Sequence, residues 1–113
     1  MRNMSFALTT DQFLDGTKTV TRRLGWKFLK PGDRFRACVK CMGLKKGEKV
    51  QVLGECEVVS VRRERLDHIT NEDTEREGFP GMTAAEFVAM FCRHMGCKPY
   101  DEVTRIEFKR VTP

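Results

Sequence analysis

The chain has 113 residues, 40% of them hydrophobic and 33% charged, with a net charge of +5. That is the size and make-up of one folded unit with a modest core; it is too short for two domains and has no low-complexity tract or internal repeat. One domain over residues 1–113 is expected. The start, Met1-Arg2-Asn3-Met4-Ser5-Phe6-Ala7-Leu8, lacks an apolar run of signal-peptide length and no later run approaches a membrane span, so the expectation is a cytoplasmic protein with no membrane partner. Charge is uneven, because residues 1–49 hold 12 Lys/Arg against 4 Asp/Glu (+8) and residues 50–113 hold 9 against 12 (−3). The N-terminal half is therefore where an anionic partner, such as a polyphosphate backbone, would bind.

Ser5 to Leu8 reads as a short apolar strand. Thr9-Thr10-Asp11 then offers an N-cap for a brief helix through Phe13 and Leu14, which Gly16 can close. The next eight residues, Gly16-Thr17-Lys18-Thr19-Val20-Thr21-Arg22-Arg23, gather three cations and three hydroxyls behind one glycine. That mixture is poor core material and suits the handling of anions, and its Thr/Val content favours extended structure from Thr19 onward. Leu29-Lys30-Pro31-Gly32-Asp33 is a turn signal, followed by a strand over Arg34 to Val39. Lys45-Lys46-Gly47-Glu48-Lys49 has the look of a solvated hairpin tip, and Val50 to Val61 reads as one or two strands with Gly54 at a bulge or bend.

Helical signals follow. Thr70-Asn71-Glu72-Asp73 resembles a capping box with Asp in its fourth place, and Thr83-Ala84-Ala85-Glu86 fits that pattern with the usual Glu. Phe87, Met90, Phe91 and Met95 recur at helical spacing and read as core, and Gly96 ends that helix. In Val103 to Val111, Thr104, Ile106 and Phe108 alternate with Arg105, Glu107 and Lys109, the pattern of a half-buried strand. Strands that do not alternate regularly with helices predict an α+β fold: a small, mostly antiparallel β-barrel with a few flanking helices.

Five cysteines are an odd number, which with no signal peptide argues for reduced thiols over a disulfide framework. Two readings of their spacing stand. Cys38-x-x-Cys41 with Cys92 and Cys97 could supply four soft ligands to zinc, or Cys38 and Cys92 could be small buried hydrophobes of a strand and a helix. Trp26 is either core, beside Leu24 and Phe28, or a stacking surface for a base. His68 and His94 show no partner spacing and receive no role.

Gly16-x-Lys18-x-x-x-x-Arg23, together with Leu29-Lys30-Pro31-Gly32-Asp33, Glu77-Gly78-Phe79 and the closing Thr104-Arg105-Ile106-Glu107-Phe108, resembles the ASCH domain family over nearly the whole chain. The resemblance implies a PUA-like β-barrel, a cleft between barrel and helices, and a role with RNA or modified nucleosides as partners. A narrower likeness is to small bacterial ASCH enzymes that hydrolyse the amide of N4-acetylcytidine, whose motif G-x-K-T-I-T-x-R is matched from Gly16 to Arg23 with Val20 in place of Ile. It implies Lys18, Thr21 and Glu77 as catalytic, with Gly16, Thr19, Arg22, Arg23 and Trp26 as substrate-binding candidates. The chain departs from those enzymes in a longer spacing from Glu77 to Met82-Thr83 and a longer central hairpin around Gly43 to Gly54.

The chemistry is self-sufficient. Amide hydrolysis needs a nucleophile, a base and donors for the oxyanion. Thr21 can attack if burial beside Arg22 or Arg23 destabilises the Lys18 ammonium and so lowers its pKa, freeing the amine to take the proton, and Glu77 can orient that lysine or shuttle a proton. This set needs no metal or cofactor. In a regular strand, however, Lys18 and Thr21 would point to opposite faces, so a turn or bulge is required between Gly16 and Thr21. The alternatives are a non-catalytic RNA or nucleotide-binding module in which Lys18, Arg22 and Arg23 grip phosphates, or a ribonuclease using Lys18 and Arg23.

Overall fold

A computed structural model describes residues 1–41 and 44–111. Five strands, β1 (Arg2–Ser5), β2 (Val20–Arg23), β3 (Arg34–Cys38), β4 (Val52–Arg65) and β5 (Glu102–Arg110), form one sheet in the order β1-β3-β4-β5-β2. β1 runs parallel to β3, and the other three pairings are antiparallel. The helices are α1 (Thr10–Leu14), α2 (Asn71–Arg76) and α3 (Ala84–Met95), with a 3₁₀ turn over Leu66–His68. This is the α+β, mostly antiparallel curled sheet that the sequence pattern predicts, an open half-barrel flanked by helices.

Curvature is concentrated in β4, a single 14-residue strand. Its pairing skips a residue twice, stepping from Ala37–Gly54 to Cys38–Val52 and from Val58–Phe108 to Ser60–Glu107. An extra residue on one strand sharpens its bend and twist, so the first break beside Gly54 and the second at Val59 together curl the sheet. The stacked and tilted rings of Phe6, Phe13, Phe35 and Phe108, with centroids 5.2–6.4 Å apart, fill its concave side. A second cluster, with Leu66, Ile69, Phe87, Phe91 and Val103, lies under α3.

Two expectations change. The first strand covers Arg2–Ser5 and not Ser5–Leu8, since the chain turns at Phe6, where Thr9 N–H donates to Phe6 O at 3.0 Å, and Leu8 is left exposed. β5 is not half-buried: Arg105 is buried with Val103, because α2 covers the face that alternation assigns to solvent. The turn at Lys45–Glu48 is exposed, as expected of a hairpin tip, while Gly43 lies outside the described residues. No helix among the described residues is long and apolar enough to cross a membrane.

Candidate functional site

Lys18 is not in β2 at all. Gly16, with φ +84°, lets the chain leave α1, and Asp15 accepts from Thr17 N–H at 2.8 Å while Lys18 N–H donates to Gln12 O at 3.0 Å. Thr19 then bridges two elements through its backbone, donating to Arg76 O at 2.8 Å and accepting from Phe108 N–H at 3.0 Å. The strand begins only at Val20. The parity conflict between Lys18 and Thr21 is thereby removed, and both side chains line one cleft.

Glu77 reaches the same place from the end of α2. Gly78 has φ +102°, and a Cβ there would lie 2.9 Å from Gln12 Cβ and 3.3 Å from Lys18 Cβ. Only glycine admits that conformation without strain and lets the segment close on Lys18. The Glu77 carboxylate accepts from Lys18 Nζ at 2.9 Å and from Arg22 Nη1 at 3.1 Å, and the Glu77 carbonyl also accepts from Lys18 Nζ, at 2.8 Å.

The network continues beyond the cleft. Arg22 Nη2 donates to Asp73, which accepts from Arg105 at 2.8 and 2.9 Å and from Arg76 at 3.1 Å. Lys18 (5% exposed), Arg22 (3%) and Glu77 (3%) are all buried. Burial drives the Lys18 ammonium below its ordinary 10.5; Glu77 opposes this, and the Arg23 and Arg22 cations add to the lowering. Desolvation wins, which favours the neutral amine a general base requires. At Asp73 the balance reverses: burial raises the carboxyl, but hydrogen bonds from Arg105 and Arg22 outweigh it and hold the group far below the usual carboxylate range.

Thr21 and Arg23 share the concave face of β2 opposite Ile106 and Thr104. Arg23 Nε donates to Thr21 Oγ1 at 3.2 Å, its Nη2 donates to Ser5 O at 2.7 Å, and its guanidinium lies 5.0 Å from the Phe6 ring centroid. It thus ties the free edges of β1 and β2 together across the mouth of the half-barrel. Burial pushes its guanidinium down to about 10 against the opposing pull of Glu77, so it remains a cation at neutral pH. Because Arg23 donates to Thr21 Oγ1, the Thr21 hydroxyl proton stays free for another acceptor, and negative charge on that oxygen is stabilised in advance.

The cleft has a volume of about 200 Å³, below the 300–1,000 Å³ of sites that engulf a drug-sized ligand, so it takes a single ring-sized group. Of the residues singled out from the sequence, Lys18, Thr21, Arg22, Arg23 and Glu77 line it. Gly16, Thr19 and Trp26 do not: Gly16 turns the chain, Thr19 serves through its backbone, and Trp26 packs against Phe35 at 6.4 Å on another face. The opposite wall is Phe79, Phe87, Phe91, Met90 and Met95, with His94 at the rim. The helical period marks Phe87, Met90, Phe91 and Met95 as core; the two rings are buried and Met95 is 45% exposed, yet all four also line the cleft. Nothing in the period separates the two uses. The sequence pattern marks Asp73 as part of a helix cap and gives His94 no partner; long-range neighbours alone bring His94 to the cleft and tie Asp73 to it through Arg22.

Cys38 lies beside Cys41 and Cys92 beside Cys97, two separate pairs. Cys92 and Cys97 approach to 3.8 Å between Sγ atoms, and burial pushes the Cys97 thiol up to about 11. Among the described residues no group of three or more His, Cys, Asp or Glu is placed to hold a metal ion.

No family model matches the chain, and no curated protein matches it in sequence. In structure it is similar to an ASCH domain from Lactobacillus crispatus JV V101, with a TM-score of 0.61 and 16% identity over 96% of this chain and 78% of that one. It is also similar to a DUF984 protein from Enterococcus faecalis V583, with a TM-score of 0.62 and 14% identity over 92% and 70% of the two chains. The hypothetical protein PH0355 gives a TM-score of 0.63 and 19% identity over 97% and 96%. At these identities the likeness is one of fold, and the fold is that of an ASCH-like domain.

Proposed function

We propose, with the ASCH-like fold as premise, that the cleft hydrolyses the amide of an N4-acylated cytosine nucleoside or a related modified base. One observation carries this reading: a buried lysine, biased toward its neutral form and held on Glu77, lines the same cleft as a buried threonine hydroxyl braced by an arginine. The apolar wall offers Phe79, Phe87 and Phe91 to a planar base.

The neutral Lys18 amine takes the Thr21 hydroxyl proton as Oγ1 attacks the acyl carbon. The carbonyl electron pair moves onto oxygen, and Arg23 stabilises that oxyanion. Collapse re-forms the carbonyl, breaks the bond to the base nitrogen and gives that nitrogen the proton now on Lys18, leaving an acyl ester on Thr21. Lys18 then deprotonates a water that attacks the ester; the carboxylic acid departs and Thr21 regains its proton. Glu77 keeps the amine aimed and balances its charge when protonated.

A phosphate grip by the same cations is the weaker reading, since Lys18 and Arg22 are buried and already paired with Glu77 and Asp73. The test is to incubate the purified protein with N4-acetylcytidine and follow cytidine by chromatography. Turnover is expected, and Lys18→Met should reduce it by at least about 10²-fold, the lower end of what a positioned base supplies. No cytidine at stoichiometric enzyme contradicts the proposal.

A further inference from the structure

We infer that a second site, outside the cleft, stacks the bases of a single-stranded polynucleotide on Trp26 and Phe28. The two rings lie 5.5 Å apart at 34°, and the Arg2 guanidinium lies 4.5 Å from the Phe28 centroid and 5.5 Å from that of Trp26. Phe28 is 49% exposed. With Met1, Leu29 and Arg34 these three residues line a shallow hollow of about 220 Å³ that shares no lining residue with the cleft.

The loop presenting these rings is held in place. Trp26 has φ +59°, and among the described residues it alone, glycines aside, has a positive φ. A bulky side chain in that region carries strain of the kind that accumulates at binding sites. The residues before it are pinned: Thr104 Oγ1 donates to Gly25 O at 2.6 Å and Arg63 Nη1 donates to Leu24 O at 3.2 Å. The body of the protein thus fixes the loop so that Trp26 rests half-buried against Phe35 while Phe28 is turned outward.

Charge selects the occupant. Arg2 lies over the pair and, like the exposed Lys27 and Lys30 that flank the rings in the chain, joins no ion pair among the described residues, while Arg34 of the lining pairs with Glu57 at 3.6 Å. Asp33, the carboxylate in the lining, is engaged by Lys30 N–H at 2.9 Å. Aromatic faces and a guanidinium plane among free cations fit bases in stacks and phosphates alongside, a combination that needs no sequence-specific contact. An apolar protein partner would leave those cations buried without partners. The excess of +8 over residues 1–49 thus has an outlet here, whereas Lys18 and Arg22 are spent inward.

Trp26 is the chain's one tryptophan, so its emission reports on the site directly. Titration with the oligonucleotides rU8 and dT8 should quench it with similar affinity, because stacking does not read the 2′-hydroxyl. Rising salt should weaken binding, with log K falling by about 0.7 per log unit of salt for each phosphate neutralised. Phe28→Ala should lose about fivefold to a hundredfold in affinity, while Thr21→Val binds as the parent does. Quenching by rU8 alone would keep the site and assign it to RNA. Unchanged emission at saturating oligonucleotide, full affinity in Phe28→Ala, or emission that tracks a protein dimer in sedimentation would each overturn the inference. None of these results bears on hydrolysis of a free nucleoside, so the two claims fail separately.

Discussion

Lys18 lies between two opposed electrostatic effects, and the sign of their sum is what makes it usable. Desolvation and the nearby arginines lower its pKa, and Glu77 raises it. A base works in its deprotonated form, so turnover should rise with pH up to the lowered Lys18 value and then level off. Removing the Glu77 charge removes the opposing effect. Glu77→Gln should therefore move the rising limb of the pH–rate profile to lower pH while also reducing the maximal rate. A limb that stays in place, or moves to higher pH, would mean that Lys18 is not the titrating group.

At the scale of elements, a short helix carries more than its length suggests. The six residues of α2 could not hold as an isolated helix in water, where at least about 12 are needed. Thr70 caps its start by accepting from Asp73 N–H at 3.1 Å, but the Asp73 side chain does not complete the capping box. It turns instead to Arg22 and Arg105. Asparagine keeps one acceptor oxygen but no charge, so Arg105 would lose its paired carboxylate and Arg22 would be left with Glu77 and Glu64; Asp73→Asn should therefore cost about 3–5 kcal/mol in urea unfolding at neutral pH. The folded carboxyl is held below its ordinary 3.8, so this contribution is complete above that value and is lost as pH falls below it. The stability difference between parent and Asp73→Asn should therefore shrink on acidification below about pH 4; a gap that is constant in pH would assign the ion pairs no part in it.

The same helix marks where the sequence stops being readable. The Thr83–Glu86 box and the Gly96 stop are local, and both are present as expected. Asp73 is not local: its partners stand 51 and 32 residues away, and no short-range pattern distinguishes a cap from an ion-pair hub. Alternation likewise assigns Arg105 to solvent, because its partner Asp73 is 32 residues away. The Lys18–Thr21 pairing was legible as a requirement, because parity forces a turn after Gly16, and the turn is there. Glu77 stood out only through its likeness to a family motif.

Across the whole molecule, one excess of positive charge divides into two uses. The cations of the Gly16–Arg23 segment fold inward, where Glu77 and Asp73 neutralise Lys18 and Arg22 and Arg23 braces Thr21. The cations around Trp26 and Phe28 stay outside. The curl of β4 makes this separation possible, since it opens the half-barrel between β1 and β2, where Arg23 spans the gap. The central claim is that Thr21 is the nucleophile of this opening. It is tested most directly by kcat/KM on N4-acetylcytidine for Thr21→Val beside Thr21→Ser. The account predicts a loss of at least about 10³-fold for valine, which keeps the shape without the hydroxyl, and measurable turnover for serine, which keeps the hydroxyl. Near-parental turnover by Thr21→Val would contradict it.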